Sequence, residues 1–237
     1  MSHRFSRLEK IISKDNLTKL NNSSILVIGC GGVGGYSIES LARSGVGTII
    51  IADYDTVDFT NINRQIIALD STIGKLKVDV FEQRIRDINP ECNVIKIKEF
   101  INKDNIELLF NNRIDYLIDA CDTIETKKEI IKECLKRNIP FISSMGTGNK
   151  LDPSKLEIID IRKTVNDPLA RIMRKFIKDE NIKGKILVLS SKELPIKVHD
   201  RTPGSSAFVP PTAGLLIASY IVRDIIKKIW FHIFFYL

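Results

Sequence analysis

Apolar residues follow two rhythms along this chain. Short unbroken runs at 25–28, 48–52, 114–119 and 140–144 alternate with longer stretches whose apolar residues recur every three or four positions. The first rhythm is that of buried strands and the second that of helices with one apolar face. Segment 93–98 alternates as a further strand. Segments 75–88, 104–110 and 125–137 read as helices, as does the stretch that follows the glycine cluster at 29–35. Leu8, Ile11 and Ile12 give residues 1–23 the pattern of a helical arm, and segment 56–75 is a polar loop with little period. Strands and helices that alternate at these lengths predict a parallel, doubly wound sheet.

The rhythm changes after Ser143. A loop, SSMGTGNKLDP, leads to an alternating strand at 155–161 (Leu156, Ile158, Ile159, Ile161). Asp167 followed by Pro168 fits a helix start, and Leu169, Ile172, Met173 and Phe176 form an apolar stripe over 168–180. A strand at 185–189 and a long, mobile, proline-rich loop at 199–213 follow. The expected fold is α/β: a Rossmann-like doubly wound sheet, parallel in its N-terminal part, with antiparallel strands added by the C-terminal part. The expected organisation is an arm (1–23), a nucleotide-binding part (24–150) and a substrate-binding extension with a C-terminal helix (151–237), in one continuous domain.

Segment 214–237 is strongly apolar but interrupted by Arg223, Asp224, Lys227 and Lys228. Its uninterrupted end, 229–237, is about half of what a bilayer-spanning helix needs. It reads as a core or docking helix, with a weak membrane or partner contact as the alternative. The net charge of +7 favours an anionic partner such as nucleic acid. Four cysteines, Cys30, Cys92, Cys121 and Cys134, form no C-x-x-C pair, which argues against a structural zinc site. Scattered thiols and an N-terminus, MSHRFSRLEK, without an apolar signal core point to the cytoplasm.

Candidate chemistry starts at Gly29, Gly31 and Gly34, with Gly32 in the same loop. They fit G-x-G-x-x-G after a strand, and Asp53 ends the next strand. Backbone N–H groups in such a loop approach a phosphate, and the carboxylate reaches ribose hydroxyls. Alone, the motif most often means a dehydrogenase. The topology would gather further groups near it: Asn61, Arg64 and Gln65 in NINRQ, Lys77 in GKLK, Asp122, and the N-terminal Arg4 and Arg7. Cations converging on a phosphate chain, with an aspartate to hold Mg²⁺, suit nucleotidyl transfer rather than hydride transfer.

The ordered set GxGxxG, strand-ending aspartate, DFTNINRQ, GKLK and DACD over residues 4–145 resembles the ThiF adenylyltransferase family, relatives of the ubiquitin-activating enzymes. The resemblance implies that Asp53 binds ribose, that Asn61, Arg64, Gln65 and Lys77 bind ATP phosphates, and that Asp122 holds Mg²⁺. It also implies that Arg7 reaches a partner's ATP across a homodimer interface. Asp55 and Asp58 are either ligands or caps of their loop. Cys30 and Cys121 read as small buried residues, and His199, in KVHDR, as a loop histidine or a substrate contact.

The chain lacks the paired zinc cysteines of the family's sulfur-carrier activators and has no cysteine after Cys134 to form a thioester. Its second half, SSMGTGNKLDPSKLEIIDIRKTVNDPLARIMRK, resembles the tRNA threonylcarbamoyladenosine dehydratase branch of the family. That resemblance implies ATP-dependent ring closure on the adenosine beside the anticodon, through an adenylated threonyl carboxylate, and leaves open a sulfur-transfer partner. Two other readings stay open: activation of a carrier-protein C-terminus, and a non-enzymatic scaffold. Arg171, Arg174, Lys175 and Lys178 lie at i, i+3, i+4 and i+7, as either a tRNA phosphate stripe or a solvated face. Arg162, Lys163 and Arg201 are weaker candidates of the same kind.

Overall fold

The computed structural model describes residues 3–199 and 202–227. Arg201 and the apolar end at 229–237 lie outside the described residues.

The apolar runs become strands β1 (Ser24–Ile28), β2 (Thr48–Ala52), β3 (Asn93–Ile97), β4 (Tyr116–Asp119) and β5 (Phe141–Ser144). The C-terminal part adds β6 (Leu156–Asp160) and β7 (Leu187–Ser191) to the same sheet. The order is β3-β2-β1-β4-β5-β7-β6. Every pairing is parallel except β6 with β7. The antiparallel addition is thus one edge strand; β7 continues the parallel part.

Both faces of the sheet are covered, which is why its strands read as unbroken apolar runs. Ile25, Val27, Ile49, Ile51 and Ile118 point to one face, under α3 (Gly34–Arg43), α4 (Lys77–Ile88) and α7 (Val209–Lys227). Leu26, Ile28, Ile50 and Leu117 point to the other, under α5 (Ile124–Lys136) and α6 (Pro168–Asp179). The arm is two helices, α1 (Ser6–Ile12) and α2 (Lys14–Asn21), with Ser13 at φ 76° between them.

Two expectations change. The polar loop contains a 3₁₀ turn, Phe59–Asn61, capped by Asp58, whose carboxylate accepts from the Thr60 N–H at 2.7 Å. The loop expected to run to residue 213 ends earlier than its prolines suggest, because α7 already begins at Val209. Pro210 and Pro211 sit in its first turn, where a missing N–H costs nothing. Among the described residues α7 is one helix long and apolar enough to cross a membrane, but half of that stretch is buried. Ile217, Ile221 and Ile225 pack into the core shared with α3, and Ser37 Oγ donates to the Gly214 carbonyl at 3.0 Å.

From β1 the chain winds outward through β2 to β3, then returns to the other side of β1 as β4. The carboxyl ends of β1 and β4 therefore mark the switch point where α/β sheets open a crevice.

Candidate active site

A cleft of about 340 Å³ opens at that switch point. Its floor is the turn after β1. Gly29 has φ +86°, and a Cβ there would stand 2.6 Å from the Ala120 carbonyl oxygen. Only glycine meets both demands. A Cβ on Gly34, the first residue of α3, would collide with the Gly29 carbonyl, so this glycine sets how closely helix and turn pack rather than lining the cleft. Gly31 and Gly32 line it.

Asp53 follows β2. One carboxylate oxygen accepts from the Cys30 N–H at 2.6 Å and the other from the Asp55 N–H at 2.8 Å. Burial raises its pKa above the usual carboxylate value, and Lys77 and the two N–H groups pull the other way. Asp55 is both near the cleft and engaged: its carboxylate takes the Lys77 ammonium at 2.7 Å. Lys77 opens α4 with its side chain only 7% exposed, so the cation faces the cleft rather than water.

The NINRQ turn supplies the facing wall. Asn61 Oδ1 accepts from the Asp58 N–H at 3.1 Å, which completes the capping box and fixes the turn. Asp58 is accordingly a cap. Arg64 donates to the Thr60 carbonyl at 2.8 Å and to Asn63 Oδ1 at 2.9 Å, yet still lines the cleft. Gln65 is buried against the glycine turn, and its Oε1 has no hydrogen-bond partner. A buried polar atom left unpaired at the mouth of a glycine turn is what a bound polar ligand would complete.

Asp122 is exposed on the loop after β4 and lines the same cleft. Beneath it lies a network that the sequence reading missed. Asp119 and Lys127 are fully buried, and the Lys127 ammonium lies 3.1 Å from both carboxylate oxygens. Ser143 Oγ donates to Asp119 at 2.5 Å, Lys127 donates to the Ser144 carbonyl at 2.9 Å, and the Cys121 N–H donates to Asp119 at 3.2 Å. The pair thereby fixes the loop that carries Asp122. The available signal was Lys127 itself, which falls on the same helical stripe as Ile130, Ile131 and Cys134.

Two further contributions were missed. Tyr54 and Phe100 meet edge-to-face at 4.9 Å and form an aromatic end to the cleft, with Ile101 beside them. A planar base fits that end, and phosphates fit the charged end at Arg64 and Lys77. From the C-terminal part, Thr147 and Ser205 line the mouth. The turn carrying Thr147 is anchored from below. Asp167 accepts from the Gly146 N–H at 3.0 Å, and Lys150 donates to the Gly146 carbonyl at 2.7 Å. Both side chains are buried, and burial pulls the Lys150 pKa down.

The structure does not bring every candidate to this cleft. Arg4 donates to the Asp87 and Ile88 carbonyls at the far end of α4, and Arg7 is exposed on α1. α4 runs away from Lys77 for 12 residues, about 18 Å at about 1.5 Å per residue, so Arg4 does not reach the cleft, and Arg7 is not among the residues that line it. The basic stripe also divides. Arg171, Lys175 and Lys178 are exposed, but Lys175 is paired with Asp179 at 2.9 Å and Arg174 is bound to Thr164. Cys30 and Cys134 are buried and Cys121 is half-buried, each with its pKa raised chiefly by burial. His199 is exposed.

The model of the ThiF family matches residues 5–178. The tRNA threonylcarbamoyladenosine dehydratase of Bacillus subtilis is 46% identical, over 97% of this chain and 97% of its own. That of Escherichia coli is 35% identical, over 95% and 94%. The crystal structure of the E. coli dehydratase in complex with ATP superposes with a TM-score of 0.88 at 34% identity, covering 94% of this chain and 93% of the other. Its AMP complex gives 0.89. The E. coli adenylyltransferase of the sulfur carrier ThiS is 34% identical over 59% of this chain.

Proposed function

The chain belongs to the ThiF family, and from that membership we infer that it uses ATP to dehydrate N6-threonylcarbamoyladenosine in tRNA. One observation carries the reading. Likeness to the dehydratases runs the length of both chains, through β6, α6 and β7, whereas likeness to a carrier-protein activator covers little more than half of this one.

The chemistry needs a leaving group. A carboxylate is a poor acyl donor, because oxide would have to depart. Its attack on the α-phosphate of ATP breaks the bond to pyrophosphate and gives an acyl-adenylate. The carbamoyl group of the same side chain then attacks the acyl carbon, and AMP leaves with one carboxylate oxygen. The net result is loss of one water from the nucleoside and cleavage of ATP to AMP and pyrophosphate. Because nucleophile and acyl group are tethered, ring closure has a high effective molarity. No enzyme thiol takes part, in keeping with four cysteines that are all buried or half-buried.

In this reading Asp53 binds the ribose, and the Tyr54–Phe100 end takes the base. Gln65 Oε1 finds its missing partner in the bound substrate. Arg64 and Lys77 stabilise negative charge on the transferring phosphates. Lys77 must share or exchange its hold on Asp55 to do so. Asp122 would hold Mg²⁺, which supplies charge neutralisation on the phosphates. The part after residue 150 shapes the entrance through Thr147 and Ser205 and selects the carboxylate. A tRNA substrate puts the activity where tRNA is. Arg7 acts across a homodimer, supported by the exposed apolar surface of Phe59, Ile62, Leu69 and Ile73 on the segment before α4. A sulfur-transfer partner and a membrane contact play no part in this reading.

The test is incubation with ATP, Mg²⁺ and tRNA carrying threonylcarbamoyladenosine, followed by mass measurement of the nucleosides. A loss of one water, with ¹⁸O from a labelled threonyl carboxylate appearing in AMP, is expected. Adenylation of a carrier-protein tail with the nucleoside unchanged would overturn the reading.

A further inference from the structure

α6 is a ruler between the two edges of the sheet. Its start is fixed at the carboxyl edge, where Asp167 caps the helix and accepts from Gly146 beside the cleft and from Ser190 at the end of β7. Its end returns to the amino edge, because residues 180–186 lead into the start of β7. Twelve residues span about 18 Å.

At that far end lies a second groove, of about 430 Å³, lined by Arg162, Arg174, Lys178 and Lys183 over Ile177 and Ile182. It is a built surface. Arg162 donates to the Gly184 carbonyl at 2.7 Å and to the Ile182 carbonyl at 2.8 Å, which ties the loop after α6 to the turn after β6. The carboxylates around it are occupied: Asp160 by Arg162 at 3.3 Å, Asp179 by Lys175 at 2.9 Å, and Glu180 faces Lys132 at 3.6 Å. Lys178 and Lys183 are exposed, and neither is engaged by a carboxylate among the described residues. Arg171 is exposed on the same helix, between this groove and the cleft.

We propose that Arg171, Lys178 and Lys183 form a phosphate rail along α6 that grips the base-paired stem next to the modified adenosine while that nucleotide occupies the cleft. The proposal rests on the tRNA reading above. A polyanion fits a line of free cations leading away from the reacting centre over more than one helical turn, and a small anion would need only one end of it. Paired RNA is held through phosphates and 2′-hydroxyls rather than base edges, so the rail would contribute affinity and orientation and no sequence preference. In this proposal Arg174 and Lys175, engaged by Thr164 and Asp179, are left out of the ligand set, and Lys183, outside the stripe, joins it.

The test is steady-state dehydration of full-length tRNA carrying threonylcarbamoyladenosine by the intact protein and by the double variant Lys178→Glu/Lys183→Glu. The expected result is a fall in kcat/KM of at least about tenfold, carried by KM, with ATP affinity unchanged as a control for folding. The double variant Lys178→Arg/Lys183→Arg should restore it, and raising salt should depress the unaltered protein far more than the charge-reversed one. An unchanged kcat/KM in the charge-reversed variant, while the unaltered protein is active, overturns the rail alone. An unaltered protein that leaves the nucleoside intact overturns the functional reading and the rail with it.

Discussion

The two edges of this sheet hold cations in opposite ways. At the carboxyl edge Lys77 and Lys127 are withdrawn from water and each is held by a named aspartate, at 2.7 Å and 3.1 Å. At the amino edge Lys178 and Lys183 line a groove but stand exposed to solvent. A buried cation acts at short range and in a fixed direction, in a medium where its charge is worth several times more than in water. An exposed one is screened over about 8–10 Å at ordinary salt, and contributes by being one of several. The comparison separates positions where losing one charge should break the enzyme from positions where it should only loosen a grip.

The largest effect is expected at Lys127. Lys127→Met leaves Asp119 charged or protonated in a site with no exposure. Breaking a buried pair in this way costs about 3–5 kcal/mol, read as a lower urea midpoint. The double variant Asp119→Asn/Lys127→Met should recover much of that loss. A stability loss of under about 1 kcal/mol in the single variant would show that the pair contributes little to the fold.

Lys77→Ala comes next. Removing a donor aimed at developing charge typically costs about 100- to 1000-fold in kcat. The fold should survive, because Lys77 is at the first turn of α4 and its lost partner, Asp55, is half-exposed. Pyrophosphate release is the measurement, and a loss of less than tenfold would remove Lys77 from the reaction.

The same contrast divides what the sequence makes legible from what it hides. Asp53, Arg64, Gln65 and Lys77 were legible because each follows a strand end or a turn signal, and the doubly wound topology delivers strand ends to one place. The topology does not gather Arg4 and Arg7 at this cleft, because an N-terminal arm carries no such rule. Its position depends on which end of α4 it packs against. The Asp119–Lys127 pair was hidden for another reason. A lysine on an apolar stripe has many explanations until the carboxylate at the end of β4, eight residues earlier in the chain, is known to face it. The aromatic end of the cleft joins residue 54 to residue 100, a pairing that only the β2–β3 register brings about. The end of the proline-rich loop was misjudged because two prolines at a helix start look, in sequence, like a helix prevented.

Asp53 offers a smaller effect with a definite sign. Burial raises its pKa, so the folded protein holds that proton more tightly than the unfolded chain does. Stability from this group is therefore lost as pH rises from the unfolded value near 3.8 through the raised folded value. Carboxylates with lowered pKa, such as Asp79 beside Lys96 and Lys98, push the opposite way, so the informative quantity is the difference from Asp53→Asn. Urea midpoints between about pH 4 and 7 should converge on the acid side and separate in favour of the Asn variant as pH rises. Parallel curves would mean that Lys77 and the two N–H donors already offset the burial.

The smallest effect lies on the exposed face, where two arginines three residues apart should behave differently. Arg171 is solvent-exposed, whereas Arg174 is half-buried and donates to the Thr164 carbonyl at 2.9 Å. Arg171→Ala should lower the slope of log(kcat/KM) against log[salt] by about one, with only a few-fold loss at low salt, and should leave the urea midpoint where it was. Arg174→Ala should do the reverse: a stability loss of about 1 kcal/mol from the lost hydrogen bonds, and an unaltered salt slope. If both variants shift the slope equally, the bond to Thr164 does not withdraw Arg174 from the RNA and the sequence stripe was right as it stood. If neither does, the stem is gripped at the groove alone, and the rail shortens to Lys178 and Lys183.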